Sequence, residues 1–501
     1  MIVKSFPVQQ KVTSFINGVF VDPRSDAYRL SVINPATEEV ISELYEADAA
    51  EVSLAVESAA SAFQSGVWRN TTVEQRKEIF HRICALTEKH SEELCYLESV
   101  NLGIPTRQAK GMVTDRVIRN FRFYADYLGQ ATERSVRLDN VYQRYVYREP
   151  VGVTALISPW NAPLMLASSK IAPSLAFGNC CVIKISEQTP LALARFMELL
   201  IEAGVPPGAV NMVNGRGQVT GSALVEHPKV KLVSFTGGGA TGRVIASAAA
   251  QGLKKFDLEL GGKSACIVSD SADIDQAIDG SLLGIYMNSG QACFAGSRIL
   301  VQKNIADTFI SRFVERVRNI RVGDPLDTET EMGPLAFDAH YQRVLSYFDI
   351  AKADGATILT GGKSASNCAR GYFVEPTVVL AKSNQARVCQ EEIFGPVVTI
   401  LTYDTFEEAL AISNDSNFGL AGYLWTNRLD ETMAVAQHMQ SGTVMINSPM
   451  VFDLRMPFGG YKDSGVGREG IESLRNFYSE EKTVAIAMQR LPIPVRLGLP
   501  S

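Results

Sequence analysis

The sequence predicts an α/β fold built on parallel sheet. From Val151 onward, short Val- and Ile-rich runs alternate with helical stretches, and the same alternation resumes after residue 300. Size agrees: 501 residues, at ~150 per domain, suggest about three structural units. Composition agrees too, since 46% hydrophobic and 20% charged residues are ordinary for a globular chain and exclude disorder as its main state.

The N-terminal third reads as mixed. Asp48-x-x-Glu51 predicts a capping box, and Val52, Val56, Ala59 and Phe63 follow at helical spacing. A second helix starts near Thr72-x-x-Gln75 and runs towards Val100, and a third is expected from Gly111 to Leu128. Residues 141–157 are rich in Tyr and Val and read as strands. Then come a strand in VGVTALI, a loop over 159–163, a helix, and the buried strand CCVIK over 180–184. A helix over 189–203 stops at Gly204 and Pro206. The strand VNMV (210–213), the strand KLVSFTG (231–237), a helix over 242–251, and the strands FDLEL (256–260) and SACIV (264–268) follow. Ligand sites in such sheets lie outside the C-terminal strand ends.

Charge and composition exclude several functions. With 48 basic and 54 acidic residues the net charge is −6, and Lys and Arg are scattered, so no nucleic-acid footprint is present. The start MIVKSFPVQQK lacks a signal-like apolar core, and no run reaches ~18 apolar residues. The most apolar helix, 191–205, is broken by Arg195, Glu198 and Glu202. A soluble, cytoplasmic protein is expected. Eight cysteines without a C-x-x-C, and five histidines at no metal spacing to them, predict neither zinc nor a disulfide scaffold. No metal is expected.

Five features bear on chemistry. Phe235-Thr236-Gly237-Gly238-Gly239-Ala240-Thr241-Gly242 joins a strand to a helix, where a backbone could approach a pyrophosphate; taken alone it reads first as a plain tight turn. Lys184 ends a buried strand three residues before Glu187, as a nucleotide ligand pair or a surface ion pair would. Cys293 lies among small residues in SGQACFAGSR, which admits a substrate to the sulfur and aims backbone N–H groups at an oxyanion. Vicinal Cys180 and Cys181 should point to opposite faces of their strand. Glu259, between Leu258 and Leu260, is a carboxyl that burial would tune towards a general base. Asn161, after Pro159-Trp160 at a strand end, offers an amide donor.

These motifs occur together and in one order. PWNAP, KISE, FTGGGATG, ELGGKS, GQACFAGSR, EEIFGPV and PFGGYKDSGVGRE resemble the aldehyde dehydrogenase superfamily, from about Phe15 to about Thr483. The resemblance implies a Rossmann-like NAD-binding domain (1–129 and 151–258), an α/β catalytic domain (259–461), and a small β oligomerisation arm with the C-terminal segment (130–150 and 462–501). It implies Cys293 as nucleophile, Glu259 as the base for hydrolytic water, and Asn161 with the Cys293 N–H as oxyanion hole. For the cofactor, NAD, it implies Lys184 and Glu187 at the adenosine ribose, Gly237 and Gly242 at the pyrophosphate, and Glu392 and Phe394 at the nicotinamide side. Ile157, Ser158, Trp160, Gly217, Gly221, Phe235, Thr236, Gly238 and Leu260 complete that surface. Glu187 favours NAD over NADP, because a carboxylate repels a 2′-phosphate. Glu259 favours release of a free acid over transfer to coenzyme A. A cysteine hydrolase would want a histidine base, which the sequence does not place.

Gly238 departs from the pattern, since many relatives carry Ser there. The substrate tunnel of the family corresponds to Ala162, Met165, Leu166, Phe294, Phe452, Asp453, Arg455 and Phe458. The stretch Phe452–Phe458 resembles the bacterial hydroxymuconic-semialdehyde dehydrogenase branch, in which Arg455 would meet a substrate carboxylate and Arg116 or Arg119 would form a second clamp. The alternative is that Arg455 pairs with Asp453. The substrate expected is therefore a carboxylate-bearing semialdehyde from aromatic-ring breakdown, with an uncharged aromatic or terpenoid aldehyde as the alternative. By resemblance the arm, about 130–150 with the segment near 477–490, pairs with another subunit in a homodimer or homotetramer.

Overall fold

The computed structural model describes residues 4–449 and 451–490. Five parallel strands form the heart of an eight-stranded sheet. They are β1 (Val153–Ile157), β2 (Cys180–Lys184), β3 (Val210–Val213), β4 (Val230–Thr236) and β5 (Lys255–Glu259). Their order in space is β5-β4-β1-β2-β3, with short antiparallel strands at both edges. The strands are buried on both faces, which is why they read as near-continuous apolar runs. After β1 the chain winds one way through β2 and β3, then returns to lay β4 on the other side of β1. The crevice between the ends of β1 and β4 is thus a topological switch point.

A second, seven-stranded sheet follows, in the order 357–360, 377–380, 397–403, 298–302, 265–268, 421–425, 443–446. Only its first strand runs antiparallel to its neighbour. A third sheet has three antiparallel strands, with Ser479–Ala487 pairing Tyr142–Pro150 over nine residue pairs and Ser135–Leu138 completing it. The Pro-containing tail over 491–501 lies outside the described residues. No helix among the described residues is long and apolar enough to cross a membrane.

The helix starts follow their sequence signals. Asp48 caps the helix Ala49–Ser65, accepting from the Glu51 N–H at 2.8 Å, and the Thr72–Gln75 box closes in both directions. The expected helix over 111–128 is instead two helices, Thr106–Met112 and Thr114–Leu128, because Val113 leaves helical geometry at φ −105°, ψ −82°. That break aims Gly111, Met112, Arg116, Arg119 and Asn120 into one cavity. Helix α1 (Pro163–Ala176) starts directly after the Asn161 loop, with Pro163 in its first turn. Helix α2 (Gly239–Gln251) starts three residues earlier than expected, at the glycine turn. It packs tightly on the end of β5: a Cβ on Gly242 would lie 2.7 Å from the Leu260 side chain.

Candidate active site

Cys293 stands where two cavities meet. One, of about 890 Å³, opens at the switch point, and the other, of about 360 Å³, opens on the opposite side of the thiol. Asn161 also lines both.

The thiol is presented by an unusual turn. Asn288, Ser289 and Gly290 all have positive φ, at 50°, 56° and 73°. Three successive left-handed residues are costly and persist only when their surroundings hold them. Here they are held: Asn288 Nδ2 donates to Asn161 O at 2.7 Å, Ser289 Oγ to Gly333 O at 2.8 Å, and Gln291 Nε2 to Asn288 O at 3.0 Å. A Cβ on Gly290 would lie 2.1 Å from Gly395 O, so only glycine fits. The sequence signal was Asn-Ser-Gly, residue types that tolerate this conformation, but not its rigid anchoring. The same Asn288 amide ties the oxyanion loop to the thiol loop. The Asn161 side chain donates to Gln291 O at 2.9 Å, which leaves its second N–H for a ligand.

The double glycine of ELGGKS is explained by crowding. A Cβ on Gly261 would lie 2.2 Å from Glu392 Oε2, and one on Gly262 would lie 2.4 Å from Cys293 O. The Gly262 N–H donates to Glu392 Oε1 at 2.8 Å. Burial pushes the Glu392 carboxyl up to about 7, against the pull of that N–H, Arg343 and Lys263. Burial, then the Glu392 and Glu259 carboxyls, also push the Cys293 thiol up, so the resting sulfur is protonated. Glu259, at the end of β5, has both carboxyl oxygens buried without a partner and is raised well above the carboxylate range by burial, Glu469 and Asp257. The other cysteines are free, with Cys180 and Cys181 fully buried.

The larger cavity fits a phosphate-bearing nucleotide. Trp160, Thr236, Gly237, Gly238, Leu260, Glu392 and Phe394 line it. Gly238 is the N-cap of the thirteen-residue helix α2, with nothing within 4 Å of its Cβ position, so the helix N-terminus opens into the cavity. Thr236 Oγ1 is buried with no partner, and so is Ser158 Oγ at the end of β1. Phe235 packs its ring where a Gly237 Cβ would sit. Ile157 and Gly242 are buried behind this surface. Phe394 is held at φ +64°, rare for a bulky residue, by His340, whose Nε2 lies 2.7 Å from Phe394 O. Trp160 meets Phe337, His340 and Phe394 at ring-centroid distances of 5.2, 5.0 and 5.3 Å. The sequence reading missed Phe337, His340 and Arg343, which only the tertiary fold brings here.

Lys184, Glu187, Gly217 and Gly221 gather at the ends of β2 and β3. Lys184 is buried, not on the surface, and its Nζ lies 3.5 Å from Glu187 Oε2 and donates to Ile185 O at 3.0 Å. Gly221 leaves room for its stem: a Cβ there would sit 3.7 Å from Lys184 Cδ. Burial lowers the Lys184 ammonium and Glu187 raises it.

The smaller cavity is walled by Ala162, Met165, Leu166 and an edge-to-face trio in which Phe452 meets Phe294 at 5.0 Å and Phe458 at 5.4 Å. Arg455 is a correction. It does not line the cavity; its guanidinium is exposed and grips Asp453 through Nε at 2.9 and 3.0 Å and Nη2 at 2.5 Å. The reason is local: the chain turns at Asp453, whose carboxylate also accepts the Arg455 N–H at 2.9 Å, so the side chain folds back two residues. That grip lowers the Asp453 carboxyl to about 2. The cation facing the cavity is Arg116. It lies over the Phe452 ring at 5.6 Å, its Nε is buried without a partner, and it makes no ion pair among the described residues. Arg119 sits at the rim, exposed.

Comparison with known proteins agrees with this geometry. The model of the aldehyde dehydrogenase family matches residues 20–484. A 5-carboxymethyl-2-hydroxymuconate semialdehyde dehydrogenase of Escherichia coli is 40% identical over 466 residues, 92% of this chain and 98% of that protein. The NAD⁺ complex of an aldehyde dehydrogenase from Bacillus cereus superimposes with a TM-score of 0.94 at 37% identity, over 98% of this chain and 100% of that one. A betaine aldehyde dehydrogenase from Staphylococcus aureus in complex with NAD⁺ gives 0.92 at 37% identity, over 96% and 95% of the two chains.

Proposed function

The chain belongs to the aldehyde dehydrogenase family, and from that premise we propose that it oxidises a carboxylate-bearing semialdehyde, of the hydroxymuconic type, to the free acid. The observation that carries the substrate reading is Arg116, a cation that makes no ion pair among the described residues and faces the cavity beside Cys293, over the Phe452 ring. A guanidinium there, faced by Glu469 but not paired with it, suits a substrate carboxylate. The identity to the Escherichia coli semialdehyde enzyme supports the same reading.

Cys293 is the nucleophile. Its proton passes to water as the sulfur bonds to the aldehyde carbon and the carbonyl electrons move to oxygen. The free Asn161 N–H and the Cys293 backbone N–H meet that charge. NAD, when bound in the larger cavity, supplies the acceptor for the hydride expelled from this carbon. The acyl group stays on Cys293 as a thioester. Glu259 then takes a proton from water, whose oxygen bonds to the acyl carbon, and the C–S electrons return to sulfur. The residues that would hold NAD are Lys184 and Glu187 on the adenosine side, the α2 N-terminus at Gly237 and Gly238 for the pyrophosphate, and Glu392 and Phe394 on the nicotinamide side. We assign the eight-stranded sheet to the cofactor, the seven-stranded sheet to catalysis, and the three-stranded arm to a homodimer or homotetramer.

Arg116→Ala is expected to raise KM for a semialdehyde acid by about 10- to 100-fold, the loss of one charge-assisted contact, and to leave KM for an uncharged aldehyde of similar size within about twofold. Arg455→Ala should change neither. Equal effects of Arg116→Ala on both substrates would reject the carboxylate role and favour an uncharged aromatic aldehyde. Gly238→Ser adds a hydroxyl in open space at a helix N-cap of extended geometry (φ −74°, ψ 145°). It should stabilise the fold by a few tenths of a kcal/mol and lower the NAD dissociation constant by about two- to fivefold. Calorimetric titration reads both the sign and the size, and an unchanged constant would remove Gly238 from the phosphate surface.

A further inference from the structure

Beneath the hydrolytic site lies a buried lane of polar groups that the reaction above does not use. In parallel register, Ser234 of β4 stands beside Asp257 of β5, and Thr236 beside Glu259. Residues two apart on a strand share a face, so Asp257 and Glu259 project from β5 side by side. Asp257 is 2% exposed and Glu259 4%. Lys170, from α1, crosses over them with its Nζ 3.0 Å from Ser234 Oγ and 3.3 Å from Glu469 Oε1. Glu469 also reaches the substrate cavity.

The loop 459–469 closes over the carboxyls through glycines. A Cβ on Gly467 would lie 1.9 Å from Asp257 Oδ1, and one on Gly459 2.7 Å from Glu259 Oε1. Both glycines have positive φ. Neither Asp257 Oδ2 nor either Glu259 oxygen has a hydrogen-bond partner. Facing Asp257 are the carboxyls of Glu259 and Glu469, the cations Lys170 and Arg468, and the Tyr478 phenol. Lys170 pairs with Glu469, which Arg116 also faces, and among the described residues no cation makes an ion pair with Asp257 or Glu259. Buried charge without compensation is expensive, so one of these two carboxyls keeps its proton.

We propose that Asp257 is a positioning residue for the hydrolytic base: its carboxyl, buried beside that of Glu259 on one face of β5, keeps the two from ionising together, and so sets the pH at which Glu259 is free to activate water. This rests on the reading of Glu259 as that base. Burial and Glu469 raise Asp257 to about 7, and burial, Glu469 and Asp257 raise Glu259. A carboxylate at Asp257 holds the proton on Glu259; a neutral side chain there releases it at lower pH. Thioester hydrolysis therefore rises with pH at a midpoint owned by the pair.

The test uses the full-length enzyme acylated on Cys293 by p-nitrophenyl acetate, with nitrophenolate release after the burst followed against pH. Asp257→Asn is expected to move the midpoint of hydrolysis down by about one pH unit. Asp257→Thr, also neutral, should move it the same way, and thermal melts show which variant keeps the wild-type fold. Lys170→Gln, which removes a facing cation, should move it up. A midpoint unmoved in the folded variants, with rates scaled equally at every pH, overturns the proposal. Glu259→Gln separates the two readings: if it hydrolyses the acyl-enzyme at the wild-type rate, the base itself is wrong, whereas a blocked Glu259→Gln with an unmoved Asp257→Asn midpoint defeats only the role of Asp257.

Discussion

Replacing Cys293 by Ala is expected to reduce NADH formation by more than about 10⁴-fold, the scale seen when a catalytic nucleophile is removed. No other cysteine among the described residues lines either cavity. Cys266 and Cys389 are buried in the second sheet's core, Cys180 and Cys181 in the first, and burial raises all four, Cys266 to about 11. NAD affinity, read by fluorescence quenching or calorimetry, should stay within about threefold of wild type, because Cys293 contributes no charge to the cofactor cavity while protonated. The melting temperature should hardly change, since the sulfur lies at a cavity wall and its loss opens no enclosed void. Residual turnover above about 1% of wild type would mean that another group forms the covalent bond.

Glu259→Gln separates the two halves of the reaction. It is isosteric and neutral, so the thiol, the oxyanion donors and the cofactor cavity keep their places. Mixing enzyme, NAD and aldehyde should give a burst of about one NADH per site, followed by a steady rate lowered about 10²- to 10⁴-fold, the usual worth of a general base. Quenched enzyme should carry the acyl group on Cys293, visible by intact mass. The variant should also be at least as stable as wild type, because it replaces a buried carboxyl with no hydrogen-bond partner by a neutral amide. A burst missing altogether would place Glu259 in activation of the thiol as well as in hydrolysis.

Much of the site was legible in the chain. Cys293, Glu259 and Asn161 each sit at the end of a strand or turn whose residue pattern is local: small residues around a thiol, a carboxyl in an apolar strand, an amide after a proline. Their order along the chain with the glycine turn and the EEIF segment named a family, and the structural comparisons agree with it. The sheet, too, was readable from its apolar strands, because a strand buried on both faces has to be apolar along its whole length. The helix over 111–128 was misread because helical spacing continues across Val113, and only packing decides that the backbone turns there.

What the sequence alone determined is therefore the set of elements and the residues able to do chemistry, since both follow from short-range pattern and side-chain type. Three matters were decided only in the folded chain. Arg455, the cation its motif offered to the substrate, turned back on Asp453, and Arg116 from the helix Thr114–Leu128 faces the cavity instead. Asn288 and Ser289 were forced into left-handed geometry by anchors on Asn161 and Gly333, residues far off in the sequence. Asp257, silent in the sequence, met Glu259, Glu469 and Lys170 in one buried cluster. The reason is common to all three: charge pairing and backbone strain depend on partners from distant segments, and only the tertiary fold places them within a few ångströms.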